Sequence, residues 1–397
     1  MHSTLASLKR IVYTYLSIFT YATNNDFYKE AFMSGSIYGK HFSIATWGES
    51  HGKGIGVVVD GCPAGLSLCE EDIQKFLDRR KPGQSKFTTQ RSESDSVQIL
   101  SGVFEGKTTG TPISMIVFNE TQRSQDYSEI ANYYRPGHAD LTYDLKYGFR
   151  DYRGGGRSSG RETIGRVAAG AIAIKILNQL GIDLFAYTKS IGPVSCNEQN
   201  FNREEISNNK LYMPDADAAE KASDYLAKCM EDRNSSGGIV ECIVKHMPAG
   251  VGEPAFEKLS ANLAKAIFSI GAVKGFEIGD GFDVAKATGL TNNDNYGFVD
   301  GNIEKLTNHS GGILGGISDG SDIILRAAFK PTPSIANTQQ TVNKQGETIN
   351  INIKGRHDPI IVPRAVVVVE AMTALCILDM LFESMTSKME DIEKFFQ

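Results

Sequence analysis

The sequence reads as a fold that mixes strands and helices around a pseudo-symmetric core of strand–helix units. Three observations carry that reading. β-branched runs ended by glycine turns lead into stretches with helical apolar spacing, at residues 55–80 and again at 238–267. The two stretches echo each other. Val57-Val58-Val59-Asp60-Gly61-Cys62-Pro63-Ala64-Gly65 and Ile243-Val244-Lys245-His246-Met247-Pro248-Ala249-Gly250 are both strand, Pro-Ala-Gly, helix. Between them, Ala168, Ala169, Gly170, Ala171 and Ala173 on a helical stretch, 159–180, would let another backbone approach closely, as in a buried central helix.

Taken in order, residues 43–60 read as strand, glycine-rich turn, strand. Residues 66–80 show helical spacing at Leu66, Leu68, Ile73 and Leu77, with Ser67 a plausible N-cap ahead of Glu70, Glu71 and Asp72. Lys81-Pro82-Gly83-Gln84 breaks that helix. Strands are expected at 96–104 and 110–118, then a long irregular functional loop at 119–139. The helix of 159–180 ends at Gly181. Residues 195–235 are polar and read as an inserted surface segment with one helix, Ala216–Glu231. A strand at Gly238–Lys245, a helix near 254–267, and loop then strand at 271–283 follow. A second glycine-rich loop spans 308–316, and a strand at Ile323–Phe329 ends in Lys330-Pro331-Thr332-Pro333-Ser334. After Gly355-Arg356-His357-Asp358-Pro359 comes a helix opened by Pro363 and running 364–382, apolar nearly all round.

The totals narrow the function. A formal net charge of −6 argues against a general nucleic-acid surface, so local basic clusters need separate explanations. The 6 cysteines show neither C-x-x-C nor metal-site spacing with histidines, which suits a reduced, intracellular protein. No apolar run reaches the length of a membrane span. At the start, Lys9 and Arg10 precede a short, mildly apolar run at 11–22 without a convincing cleavage site. Residues 1–32 are read as a disordered or non-native leader, with Met33 the functional beginning.

The densest chemistry lies at 147–173. Gly154, Gly155 and Gly156 precede Arg157, Ser158 and Ser159, and then the helix. Around them Lys146, Arg150, Arg153, Arg157, Arg161 and Arg166 face only Asp151 and Glu162. A glycine loop lets backbone N–H groups close on an oxyanion, a helix start adds positive partial charge, and arginine forks onto phosphate or carboxylate. Other basic clusters gather at Arg79, Arg80, Lys81, Lys86 and Arg91, at Arg135, and at Arg356. Each alone is an ordinary solvated face; together they suggest a pocket for a small polyanion. His51, in Gly48-Glu49-Ser50-His51-Gly52, and His138, in Arg135-Pro136-Gly137-His138-Ala139-Asp140, have charges nearby and suit proton transfer near neutrality. Ser50-His51 lacks the frame of a hydrolase nucleophile elbow, and adjacent strand residues point to opposite faces. The scattered histidines do not make a metal site. Neither a P-loop nor a strand-bound G-x-G-x-x-G is present.

Three longer segments resemble the chorismate synthase family: GESHGKGIGVVVDGCPAG from Gly48, GRSSGRETIGRVAAGAI from Gly156, and RHDPIIVPRAVVVVEAM from Arg356. RRKPGQSKFTTQR, RSQDY, RPGHAD, KYGFRDYRGGGR, NHSGGILGGISDG and KPTPS are also similar to it, in family order over about residues 35–381. The resemblance implies an α+β fold, a helical core flanked by antiparallel sheets, with residues 33–397 a single domain. It implies a cytoplasmic homotetramer that turns 5-enolpyruvylshikimate 3-phosphate into chorismate and phosphate by a 1,4-anti elimination. The cofactor would be reduced FMN, with NADPH a candidate reductant, and no metal. By motif, His51 would protonate or hydrogen-bond the flavin, His138 would act as acid at the departing phosphate, and Ser50 and Asp358 would steer the proton near flavin N5. Arg157, Ser158, Ser159, Gly271, Ala272, Gly315, Lys330, Pro331, Thr332, Pro333, Ser334 and Arg356 would hold FMN. Arg80, Lys86, Arg135, Arg161 and Arg356 would hold substrate anions or, for the first four, NADP. Lys86 stands where relatives often carry arginine; it keeps the charge and loses the fork. The rival readings are a non-catalytic flavin or polyanion binder and a phosphoryl transferase, the second weakened by the absent set of Mg²⁺ carboxylates.

Overall fold

The computed structural model describes residues 35–84, 93–120, 129–353 and 358–397. It divides the chain into Met1–Ile37 and Tyr38–Gln397; of the first unit only residues 35–37 are described. The second unit holds the fold.

Its elements repeat. The first half has β1 (Ser43–Gly48), β2 (Gly54–Asp60), α1 (Glu70–Arg80), β3 (Val97–Ile99) and β4 (Ile113–Phe118), then the long helix α2 (Thr163–Gln179). The second has β5 (Asp183–Ile191), β6 (Gly238–Lys245), α3 (Leu259–Phe268), β7 (Val273–Ile278) and β8 (Ile323–Phe329), then the long helix α4 (Val362–Ser384). The strands pair antiparallel in the order β1-β2-β4-β3 and, identically, β5-β6-β8-β7. Each half is therefore strand, strand, helix, strand, strand, long helix. The Pro-Ala-Gly echo falls at the same place in both, between the second strand and the short helix.

Each sheet buries one face by simple alternation. In β4, Ile113, Met115 and Val117 point inward; in β8, Ile323, Leu325, Ala327 and Phe329 do. The covers are the long helices: α2 lies on β1, β2 and β4, α4 lies on β5 and β6, and α2 packs against α4. The result is sheet, helical layer, sheet, an α+β architecture. Small residues set the helix crossing. A Cβ on Gly170 would stand 2.3 Å from the Cβ of Ala371, so the two backbones touch where a side chain would separate them. Glu370, buried within α4, accepts two hydrogen bonds from Arg79 of α1 and one from Ala186 N of β5, joining the halves.

Several boundaries differ from expectation. Leu66 and Leu68 do not open a helix: Leu66 N donates to Thr108 Oγ1 and Ser67 bridges to Lys107, so α1 starts at Glu70 with Cys69, not Ser67, as N-cap. Residues 156–162 form two short 3-10 turns ahead of α2. The alternation at 96–104 splits into β3 and the two-residue strand Val103–Phe104. α3 begins at Leu259, and β7 is confined to Val273–Ile278. The α4 helix, 23 residues, is long and apolar enough to cross a membrane, contrary to the sequence reading; 89% of its apolar window is buried inside the protein, where it serves as core.

Candidate functional site

The chemistry collects where the segments leading into the two long helices meet. Residues 119–162 lead into α2 and residues 330–361 into α4. They pair with each other: Tyr134 N donates to Val342 O, Lys344 N to Asn132 O, and Lys330 Nζ to Gly137 O at 2.7 Å. The tight β1–β2 turn that carries His51 closes the group.

Gly154 is the meeting point. Its φ is +142°, and an added Cβ would stand 2.5 Å from both Nδ1 and Cε1 of His51 and 3.0 Å from Ser50 Oγ, so the glycine loop rests directly on the Ser50-His51 pair. That pair lies in a turn, not on a strand, and Ser50 Oγ is 3.1 Å from His51 Nδ1; the two side chains act together instead of facing apart. On the other side, Gly154 O accepts from Arg135 NH2 at 3.5 Å, and Arg135 NH2 is 3.1 Å from His138 Nδ1. One glycine thus separates the two histidines.

Two buried aspartates, neither singled out by the sequence, organise the arginines. Asp140 takes Arg135 through Nε and NH2, both at 2.8 Å, and lies 2.9 Å from His138 Nδ1. Burial works to raise its pKa; hydrogen bonds from Arg135 and His138 outweigh burial and hold it well below the usual carboxylate range. Asp95, in the left-handed region at φ +47°, accepts from Arg80 NH2 at 2.5 Å and lies 3.1 Å from Arg161 NH2. Arg80 is only 1% exposed; burial, with Arg364 and Arg161 nearby, lowers its pKa to about 10 against the opposing pull of Asp95. Its NH1 donates to Gly160 O and its carbonyl accepts from Arg364 Nε, whose NH1 binds Asp358. Arg161 Nε donates to Asn119 Oδ1, and Asn119 Nδ2 donates to the carbonyls of Glu49 and Gly52 around His51. Hydrogen bonds and ion pairs thus run from Asp358 to the turn that carries His51.

The remaining predicted residues fall as follows. Arg157 donates to Gly48 O and Thr46 Oγ1, which sets it under the His51 turn. Ser158 Oγ donates to Gly155 O, and Ser159 Oγ accepts from Arg161 N. Ala272, at φ +71°, accepts from Lys330 N, and Gly271 beside it faces open space. Pro333 packs on Gly137, Pro331 on Gly237, Ser334 is buried, and Thr332 Oγ1 is buried with no hydrogen-bond partner among the described residues. Gly315 stands apart. It turns the hairpin Ile313–Leu314/Ile317–Ser318, which binds Leu259 N at the start of α3, whereas Gly271 follows the end of that helix. That is the far end of β8 from Lys330, about 20 Å along a seven-residue strand. Lys86 and Arg356 lie outside the described residues.

Asp95 and Asp140 escaped the sequence reading because a single aspartate in a polar stretch carries no period or spacing. The signal available was Asp140 inside RPGHAD, two residues from a histidine already marked.

The arrangement can bind anions and brings two histidines, the residue type suited to proton transfer, to either side of one glycine. Comparison with known proteins agrees in extent and kind. A family model described as chorismate synthase matches residues 42–382. A chorismate synthase of Agathobacter rectalis is 70% identical over 365 residues, 92% of this chain and 100% of the relative. One from Methanosarcina mazei is 53% identical over 355 residues, covering 89% and 97%. A crystal structure of chorismate synthase superposes with a TM-score of 0.71 at 32% identity, over 90% of this chain and 97% of that one.

Proposed function

The chain belongs to the chorismate synthase family, and from that premise we propose that it converts 5-enolpyruvylshikimate 3-phosphate to chorismate and phosphate in the cytoplasm, by a 1,4-anti elimination that uses reduced FMN. The observation that supports this reading best is the convergence on Gly154: a glycine loop, two histidines and a network of arginines in one place. The substrate carries a phosphate and two carboxylates, and FMN adds a phosphate, which accounts for concentrating arginine at glycine turns in an acidic chain.

The residues fit a flavin phosphate. The Thr332 hydroxyl is an orphaned buried donor, Gly271 leaves open space, and Lys330 and Arg157 are cations at the rim. Arg157, Ser158, Ser159, Gly271, Ala272, Lys330, Pro331, Thr332, Pro333, Ser334 and Arg356 would hold it. Gly315, at the far end of β8, would join only from a second copy, in keeping with the homotetramer we assign. When bound, reduced FMN would supply electron density as the C–O bond to phosphate breaks and take part in removing the C6 hydrogen.

The chain's own work is binding and proton placement. Arg161 is the arginine of the Asp95 group that is part exposed, and it would meet a substrate anion; Lys86, Arg135 and Arg356 would bind the others, and Arg80 holds Asp95 and Gly160. His138 would protonate the leaving phosphate. His51, with Ser50 against its Nδ1, would hold a proton at the flavin, and Ser50 and Asp358 would steer that proton. Anaerobic protein, reduced FMN and the enolpyruvyl substrate, followed by chorismate absorbance, tests the reading; no product above background overturns it. Oxidised FMN with NADPH in place of reduced FMN asks whether the chain reduces its own cofactor.

A further inference from the structure

We propose that Asn119 is the positioning residue that couples the two sides of the site: one carboxamide holds both ends of the turn that presents Ser50 and His51 and, through its oxygen, the guanidinium of Arg161. This rests on the reading of His51 as the proton holder at the flavin and of Arg161 as a grip on a substrate anion.

Residues 49–52 form a tight turn closed by Gly52 N, which donates to Glu49 O at 3.1 Å, so Ser50 and His51 are its two middle residues. Asn119 Nδ2 donates to Glu49 O at 3.1 Å and to Gly52 O at 2.9 Å. The two amide hydrogens therefore go to the first and last carbonyls of that turn. Asn119 Oδ1 accepts from Arg161 Nε at 3.0 Å. Asp95 meets the same guanidinium at NH2, 3.1 Å away. Turned over, the amide would set its oxygen against two carbonyl oxygens and its N–H groups against a guanidinium. Only one orientation serves all three neighbours.

The sheet fixes where this amide stands. Asn119 directly follows β4, and its backbone N–H donates to Lys53 O at 3.1 Å, next to the Gly54–Phe118 pair of the β2–β4 ladder. A strand end thus carries a short side chain to the turn. Aspartate in its place would keep the acceptor and lose both donors; alanine would lose all three contacts. Arg161 and the turn lie far apart in the chain, and the carboxamide is a link they share. The place of His51 therefore depends on where Arg161 stands.

The test is amide hydrogen exchange of the full chain, read by mass spectrometry on peptides covering residues 49–53. N119A and N119D are both expected to speed exchange at the turn at least about fivefold. Native-like exchange in N119D, whose side chain keeps the shape of asparagine, overturns the proposal. The link to Arg161 is read in R161M, which removes the Nε donor. It should speed exchange in the same peptides of the otherwise native chain and add nothing in an N119A background. Equal acceleration in both, or none in the native background, would mean that Asn119 does not connect them. Turnover supplies the second arm: N119A is expected to lose at least about tenfold in kcat, and to cost nothing further in kcat in an H51A background. Independent, multiplicative losses would mean that Asn119 does not act through His51. If the native chain made no chorismate, the proposed activity would fall while the exchange results still decided the link.

Discussion

The two halves of the molecule share one wiring and use it differently. In the first, β1 and β2 are joined by residues 49–53, a turn that carries His51 into the site; in the second, β5 and β6 are joined by residues 192–237, which bring the surface helix Ala216–Glu231 and none of the predicted site residues. The third and fourth strands are linked by 100–112 in one half and by 279–322 in the other. What stays equivalent is the segment ahead of each long helix, and those two segments carry most of the predicted site. A doubled scaffold puts two such segments side by side at its centre, so neither half alone holds both the RPGHAD histidine and the KPTPS cradle.

That comparison can be broken from its strongest point downward. Asp95 anchors the first half's arginines, and Asp95→Ala leaves Arg80 charged and buried without its carboxylate. We expect a loss of about 3–5 kcal/mol in denaturant unfolding; under about 1 kcal/mol would show that Arg80 finds another partner. Gly170→Val tests the crossing between halves. A side chain at a backbone contact should cost about 1–3 kcal/mol or more by the same measurement, and a native-like midpoint would mean that the two helices are free to separate. Gly154→Ala bears on the site, since its Cβ must displace the His51 ring. Turnover should fall at least about tenfold, with about 1 kcal/mol or more of stability lost to the positive φ as well; full activity would show that His51 does not need its present position. The smallest effect is expected at Thr332→Val in the second half. Removing an unpartnered buried hydroxyl should leave stability unchanged or slightly higher, while reduced FMN binds a few-fold more weakly. Unaltered flavin affinity would free Thr332 from the cradle.

Much of this was legible in the chain. Ala216–Glu231, Gly238–Lys245 and Ile323–Phe329 fall where periodicity and flanking glycines put them, and the Pro-Ala-Gly echo marked a true repeat. Helix starts were harder to read. Leu66 and Leu68 suit a helix by spacing, yet a hydrogen bond to Thr108, far along the chain, keeps them extended. The site's residues were named by motif, but their internal partners were not. Arg80 and Arg135 read as free anion grips because their carboxylates, Asp95 and Asp140, become neighbours only through folding. Gly315 shows the converse limit, a motif residue that one copy of the fold carries to the far end of a sheet.

The Gly170–Ala371 contact has a consequence for how the chain is made. The first half can gather its sheet and lay α2 across it as synthesis proceeds, but the face of α2 around Gly170 waits for Ala371, far downstream in α4. Until α4 emerges and docks, that face and then α4 itself stand open to water. Closing the core is therefore the late event of biogenesis, and the interval before it is when the nascent protein most needs a chaperone's cover.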